Sequence, residues 1–123
     1  MNKKIKVTES ELEILKVVWS LNRATTNEIT NILVSSTSWN PRTIQTLISR
    51  LTQKEVLGIE KINKRTYMYF PLVTEDEYRV FANKSLLNKL YNGSLSLMMS
   101  AFIKNMNLSK TDIEQLKKLL DEG

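Results

Sequence analysis

The sequence predicts a mainly helical fold with one small β-hairpin: a winged helix-turn-helix over residues 1–73, followed by a helical dimerisation region over residues 74–123. Capped helix starts give the first sign. Thr8 with Glu11, Thr25 with Glu28 and Thr74 with Glu77 each form the Ser/Thr-x-x-Glu box that satisfies unpaired N–H groups of a first turn. Two short β-prone runs, "VLGIEKI" and "RTYMYFPL", follow the third helix, where a winged helix carries its wing. Charge gives the third sign: Met1 to Val73 holds 11 basic and 6 acidic residues, whereas Thr74 to Gly123 holds 7 of each.

The first helix is expected from Glu9 to Leu21, with Leu12, Leu15, Val18 and Trp19 on one apolar stripe. The second runs from about Thr26 to Val34, turning Ile29, Ile32 and Leu33 inward, until "SSTS" breaks the pattern. Asn40 caps the third helix, and Pro41 stands at its first position, where a missing N–H costs nothing.

In "WNPRTIQTLISRLTQKE" the spacing of Ile44, Leu47, Ile48 and Leu51 sends one side of the third helix to the core. At about 100° per residue the outward side is centred on Arg42, Thr46, Ser49 and Gln53, flanked by Thr43, Gln45 and Arg50. This side has no carboxylate before Glu55. Such residues can donate to phosphates and base edges, although they also make an ordinary solvated face. The hairpin tilts the balance towards DNA, because its tip carries Lys61, Lys64 and Arg65 around a turn at Asn63 and Lys64, with Pro71 closing the second strand. Tyr67 and Tyr69 read as strand packing rather than base stacking.

A long helix from Thr74 to Tyr91 offers Tyr78, Phe81, Ala82, Ser85, Leu86 and Leu90 on one broad face and breaks at Gly93. Its acids Glu75, Asp76 and Glu77 suit a first turn, where negative charge meets the helix dipole, better than a catalytic pair. Next come Leu95 to Met106, with Leu95, Met98, Met99, Phe102 and Met106 at helical spacing, and a helix capped by Ser109 that presents Ile113, Leu116, Leu119 and Leu120. The Met98-Met99 pair reads as packing filler. These helices carry more apolar face than they can cover among themselves, and a second copy of the chain is the expected cover. Folding back onto the winged helix is the competing reading.

Composition bounds the chemistry. The chain has 123 residues, 41% hydrophobic and 25% charged, with a net charge of +5. Without His or Cys it cannot build a His-based triad, a thiol nucleophile, a zinc finger or an iron–sulfur site, so no enzyme, metal or cofactor is expected. Its three glycines lie too far apart for a phosphate loop. No apolar run approaches the ~20 residues of a membrane span, and the start "MNKKIKVTES" lacks a signal-peptide core. The expected location is the cytoplasm, without membrane insertion.

The stretches "TESELEILKVVW", "WNPRTIQTLISRL" and "SLLNKLYNGS" together resemble the penicillinase repressors of the BlaI/MecI type, and the resemblance covers nearly the whole chain. It implies a homodimeric repressor that binds inverted repeats in double-stranded operator DNA upstream of β-lactam resistance genes. By position it implies DNA contacts from Arg42, Thr43, Gln45, Thr46 and Arg50, with Lys64 and Arg65 on the wing. It also implies silencing through an antibiotic-sensing membrane protease, or its downstream activity, that cuts an Asn-Phe bond in the dimerisation region. The aligned pair here is Ala101-Phe102, a departure that puts the usual cut in question. A copper-responsive branch senses metal through cysteines and is excluded by their absence. Two rivals stand beside this reading: a winged-helix regulator released by a small molecule, and a pure protein-interaction module. Steep loss of affinity with salt separates a DNA binder from the latter.

Overall fold

A computed structural model describes residues 6–122, apart from the side chains of Leu120 and Glu122; the expectations for Met1 to Ile5 and for the Leu120 side chain lie outside it. The elements are α1 (Glu9–Leu21), β1 (Ala24–Thr25), α2 (Thr26–Ser36), α3 (Pro41–Gln53), β2 (Leu57–Asn63), β3 (Thr66–Pro71), α4 (Glu75–Tyr91), α5 (Leu95–Asn105) and α6 (Lys110–Glu122). They divide into two compact units, one ending at Arg79 and the other beginning at Val80.

In the first unit the capping boxes set the helices as expected. The Thr8 and Thr25 hydroxyls accept the N–H groups of Glu11 and Glu28, whose carboxylates accept the N–H groups of Thr8 and Thr25. Asn40 Oδ1 accepts the Thr43 N–H at 2.9 Å, with Pro41 opening α3. The core gathers Ile14, Leu15, Val17 and Val18 from α1, Ile29 and Leu33 from α2, and Ile44, Leu47, Ile48 and Leu51 from α3, closed by Ala24, Val56, Leu57 and Val73. The inward stripe of α1 is therefore wider than expected, since Ile14 and Val17 are buried while Leu12 and Trp19 lie half-buried at its edge.

Two expectations for α2 are corrected. The helix runs on to Ser36 because the Ser35 and Ser36 hydroxyls donate back to the Ile32 carbonyl, and Thr37 Oγ1 donates to the Leu33 carbonyl at 2.6 Å. Ile32 is 41% exposed rather than inward. Ile29 and Leu33, one turn apart, fill the contact with the core, and Ile32 stands about 100° away around the helix.

The hairpin is the larger part of a three-stranded antiparallel sheet in the order β1-β3-β2. Its third member, β1, pairs Ala24 with Tyr69 and Thr25 with Met68, and no sequence reading anticipated it. On the other side Ile59 faces Tyr69 and Lys61 faces Tyr67, with a bulge between Lys61 and Asn63 just before the turn. Gly58 lies opposite Phe70, whose ring covers the glycine so closely that a Cβ there would collide with it. Tyr69 packs against the core as a strand residue, and Tyr67 is exposed.

The first turn of α4 belongs with this unit. The Trp19 indole N–H donates to the Val73 carbonyl at 2.9 Å, and its ring lies 5.8 Å from that of Tyr78. Compactness thus changes hands after Arg79, six residues beyond the sequence boundary at 73, because Tyr78 serves the winged helix rather than the tail. The Thr74–Glu77 box starts α4, and its hydrogen bonds, led by the Thr74 N–H, hold the exposed Glu77 carboxyl below its ordinary value.

The second unit holds the rest of α4 with α5 and α6. Gly93, at φ 82°, ends α4 as expected, its N–H reaching the Leu87 carbonyl. Ser94 caps α5, and Ser109 with Asp112 caps α6. None of the described side chains from Val80 onwards is buried.

Candidate nucleic-acid interface

The outer side of α3 is the residue pattern made solid. Ile44, Leu47, Ile48 and Leu51 are buried, while Arg42, Thr43, Gln45, Thr46, Ser49, Arg50 and Gln53 are all exposed. Among the described residues, neither Arg42 nor Arg50 is drawn into an ion pair, so both guanidinium groups are available to phosphate or guanine. The Thr46 hydroxyl donates to the Arg42 carbonyl at 3.0 Å. No hydrogen bond engages the hydroxyl of Thr43 or Ser49 among the described residues.

On the wing, Lys61, Lys64 and Arg65 are exposed around the turn. Asn63 Oδ1 accepts the Arg65 N–H at 3.0 Å, a local bond that shapes the tip without using either basic side chain. Glu60, the acid on this hairpin, is occupied by Arg23 at 3.1 Å. Helix and wing lie in one compact unit, which brings the basic tip and the acid-free face of α3 onto a single body.

A contribution that sequence reasoning missed sits behind this face. Glu11, 1% exposed, accepts Lys54 Nζ at 2.6 Å, and Lys54 also donates to the Lys6 carbonyl at 2.9 Å. Burial pushes the Glu11 carboxyl up. The Lys54 ammonium and the Thr8 N–H more than offset this and hold it below its ordinary value. Lys54 is the C-cap of α3, so the pair ties the end of that helix to the start of α1 and withdraws Lys54 from the DNA-facing set. A partner 43 residues away leaves no mark in local periodicity.

The proposed dimerisation residues behave differently from a core. Leu86, Leu90, Leu95 and Ile113 are exposed, while Met98, Met99, Phe102 and Leu116 are half-buried. Val80, Leu97 and Ile103, not singled out beforehand, add to the exposed apolar surface of this unit, as do Met106 and Leu119. Ala101 and Phe102 are half-buried inside α5, and the Asn105 side chain donates to the Ala101 carbonyl at 2.9 Å. Among the described residues no cluster of His, Cys, Asp or Glu could hold a metal ion, and no helix is long and apolar enough to cross a membrane.

The family model described as penicillinase repressor matches residues 7–122. The chain is 36% identical over 122 residues to the penicillinase repressor of Bacillus licheniformis, covering 99% of this chain and 94% of that one. It is 31% identical over 121 residues to the methicillin resistance regulatory protein MecI of Mammaliicoccus sciuri, covering 98% of each. The solution structure of monomeric Bacillus licheniformis BlaI in complex with the blaP half-operator superposes with a TM-score of 0.55 at 36% identity, over 63% of this chain and 94% of that one. A match of this extent, over a fold of helix-turn-helix and wing, makes the chain a member of the penicillinase repressor family.

Proposed function

We propose that the chain is a DNA-binding transcriptional repressor of β-lactam resistance genes, acting in the cytoplasm as a homodimer on an inverted-repeat operator. The observation that carries this reading is the outer side of α3: seven exposed side chains, none acidic, with two arginines free of ion pairs among the described residues. The α3 helix enters the major groove, where Gln45, Thr46, Ser49 and Arg50 meet base edges and Arg42 and Thr43, in its first turn, meet phosphate. Lys64 and Arg65 press the wing against the neighbouring backbone. Operator binding itself is supported by likeness to BlaI, whose monomeric form is in complex with the blaP half-operator.

The dimer is supported by the second unit, whose apolar side chains have no buried core of their own among the described residues. Inactivation proceeds by proteolysis of that unit, with the Ala101-Phe102 bond as the candidate cut and a membrane sensor-protease as the upstream partner. The bond lies within α5, so a protease reaches it only when the helix opens locally.

Fluorescence anisotropy with an inverted-repeat duplex, selected from random DNA by the intact chain, tests the function against a scrambled duplex of equal length. Expected is a preference of roughly 10³-fold or more, with affinity for both falling steeply as salt rises. Equal, salt-insensitive binding to the two duplexes would overturn it.

A further inference from the structure

The hydrogen bond on the outer face of α3 fixes what Thr46 can say to a base. Its Oγ1 donates to the Arg42 carbonyl one turn earlier, at 3.0 Å. A threonine has two heavy branches on Cβ and a stiff first torsion, so tying one branch back along the helix settles where the other goes. The hydroxyl proton is spent inside the helix. What remains for a ligand is the Cγ2 methyl, backed by the lone pairs of an oxygen already in use. The neighbouring hydroxyls on this face, those of Thr43 and Ser49, are not engaged in this way among the described residues.

We propose that Thr46 is a specificity-determining residue that reads thymine through methyl–methyl contact in the major groove, rather than reading any base by hydrogen bonding. The inference rests on the reading that α3 lies in the groove. The C5 methyl of thymine is the apolar feature of that groove, and a threonine methyl is among the groups that pack on it. Thr46 sits near the centre of the exposed arc, opposite Ile44, Leu47, Ile48 and Leu51, where a residue approaches the groove floor most directly. A hydroxyl that kept its proton free could donate it to acceptors on several base edges. A methyl held at a fixed torsion favours thymine over cytosine, which lacks the C5 methyl and leaves the contact open.

The test uses the intact chain, the duplex it selects from random DNA, and copies of that duplex in which each thymine in turn is replaced by deoxyuridine. This replacement removes one methyl and leaves every hydrogen-bonding group in place. Expected is one position in each half-site where the replacement weakens binding by roughly three- to tenfold, the scale of one buried methyl contact. Thr46→Val, which keeps the methyl and the branched shape, should bind within about twofold of the parent and keep that penalty. Thr46→Ser and Thr46→Ala should bind the thymine duplex as weakly as the parent binds the deoxyuridine duplex, and should be indifferent to the replacement. Thr46→Ser binding like the parent while Thr46→Val fails would overturn the proposal, as would the absence of any thymine coupled to residue 46. Gln45→Ala and Arg50→Ala on the same duplex separate this outcome from failure of the groove reading. If both leave affinity unchanged, α3 is not in the groove; if both weaken binding while no thymine couples to Thr46, the methyl inference alone falls.

Discussion

Glu11 is the buried charged side chain of the winged helix among the described residues, and it acts twice, as the acid of the α1 capping box and as the partner of Lys54. Its carboxyl, held below the free value of 4.5, adds stability that is complete above that value and is lost as pH falls through the lower value of the folded protein. Urea unfolding should therefore show a falling midpoint on acidification below about pH 5. In Glu11→Gln that acid limb should flatten, at a cost of about 1–3 kcal/mol at neutral pH, because Lys54 loses its anion but keeps the Lys6 carbonyl and some solvent. An unchanged acid limb in the variant would show that other carboxylates carry it. On the exposed side, Gln45→Ala should cost about 1–3 kcal/mol on the cognate duplex and relax base preference, whereas Lys64→Ala should weaken cognate and scrambled duplexes alike and reduce the salt slope by about one. Titrations of both variants on both duplexes at two salt concentrations check the contrast.

At the scale of elements, the wing depends on a close approach that only glycine permits. Gly58→Ala should push the Phe70 ring off β2 and cost about 1–3 kcal/mol, seen as a lowered urea midpoint with the main helical signal intact. Removing the obstacle in Gly58→Ala/Phe70→Ala should return part of that loss, so the two changes should not add. The wing itself was legible from its β-prone runs and closing proline, and the helix starts were legible because a hydroxyl and a carboxylate three residues apart are a local signature. What escaped was non-local or too short. The strand Ala24–Thr25 has two residues, too few for any periodicity, and exists because β3 offers it an edge. The end of α2 lies beyond Val34, where the sequence suggests a break, because serines discourage helix only when their hydroxyls bond elsewhere, and here they bond to the Ile32 carbonyl. Ile32 read as inward from its apolar character, although the neighbours that cover Ile29 and Leu33 do not reach it. The outer face of α3 was legible residue by residue, whereas the Lys54–Glu11 tie behind it joins positions that only the folded chain brings together.

For the whole molecule, the contrast between the two units directs the experiments. The first unit owns the entire buried core, and the second owns none among the described residues. On the proposed dimer, a chain truncated after Arg79 should keep its folded winged helix and its base preference, yet lose about 10²-fold or more in operator affinity, because a joined second copy would no longer supply its half-site at high effective concentration. Circular dichroism and anisotropy on the truncated chain check both halves of that statement. The same pairing predicts half-sites spaced by about one turn, ~10 base pairs, and a change of half a turn should abolish tight binding by the intact chain. The coreless second unit also bears on how a cell would use this protein. On the proposed dimer these helices gain their cover from a sister chain, so their melting should move upward with each increase in protein while that of the winged helix stays put. Growth without new synthesis would then thin the population twice over, first in number and again in the fraction still paired. On the proposed dimer, the number of gene copies would then set, through this bare surface, how much of the repressor is competent to hold its operator.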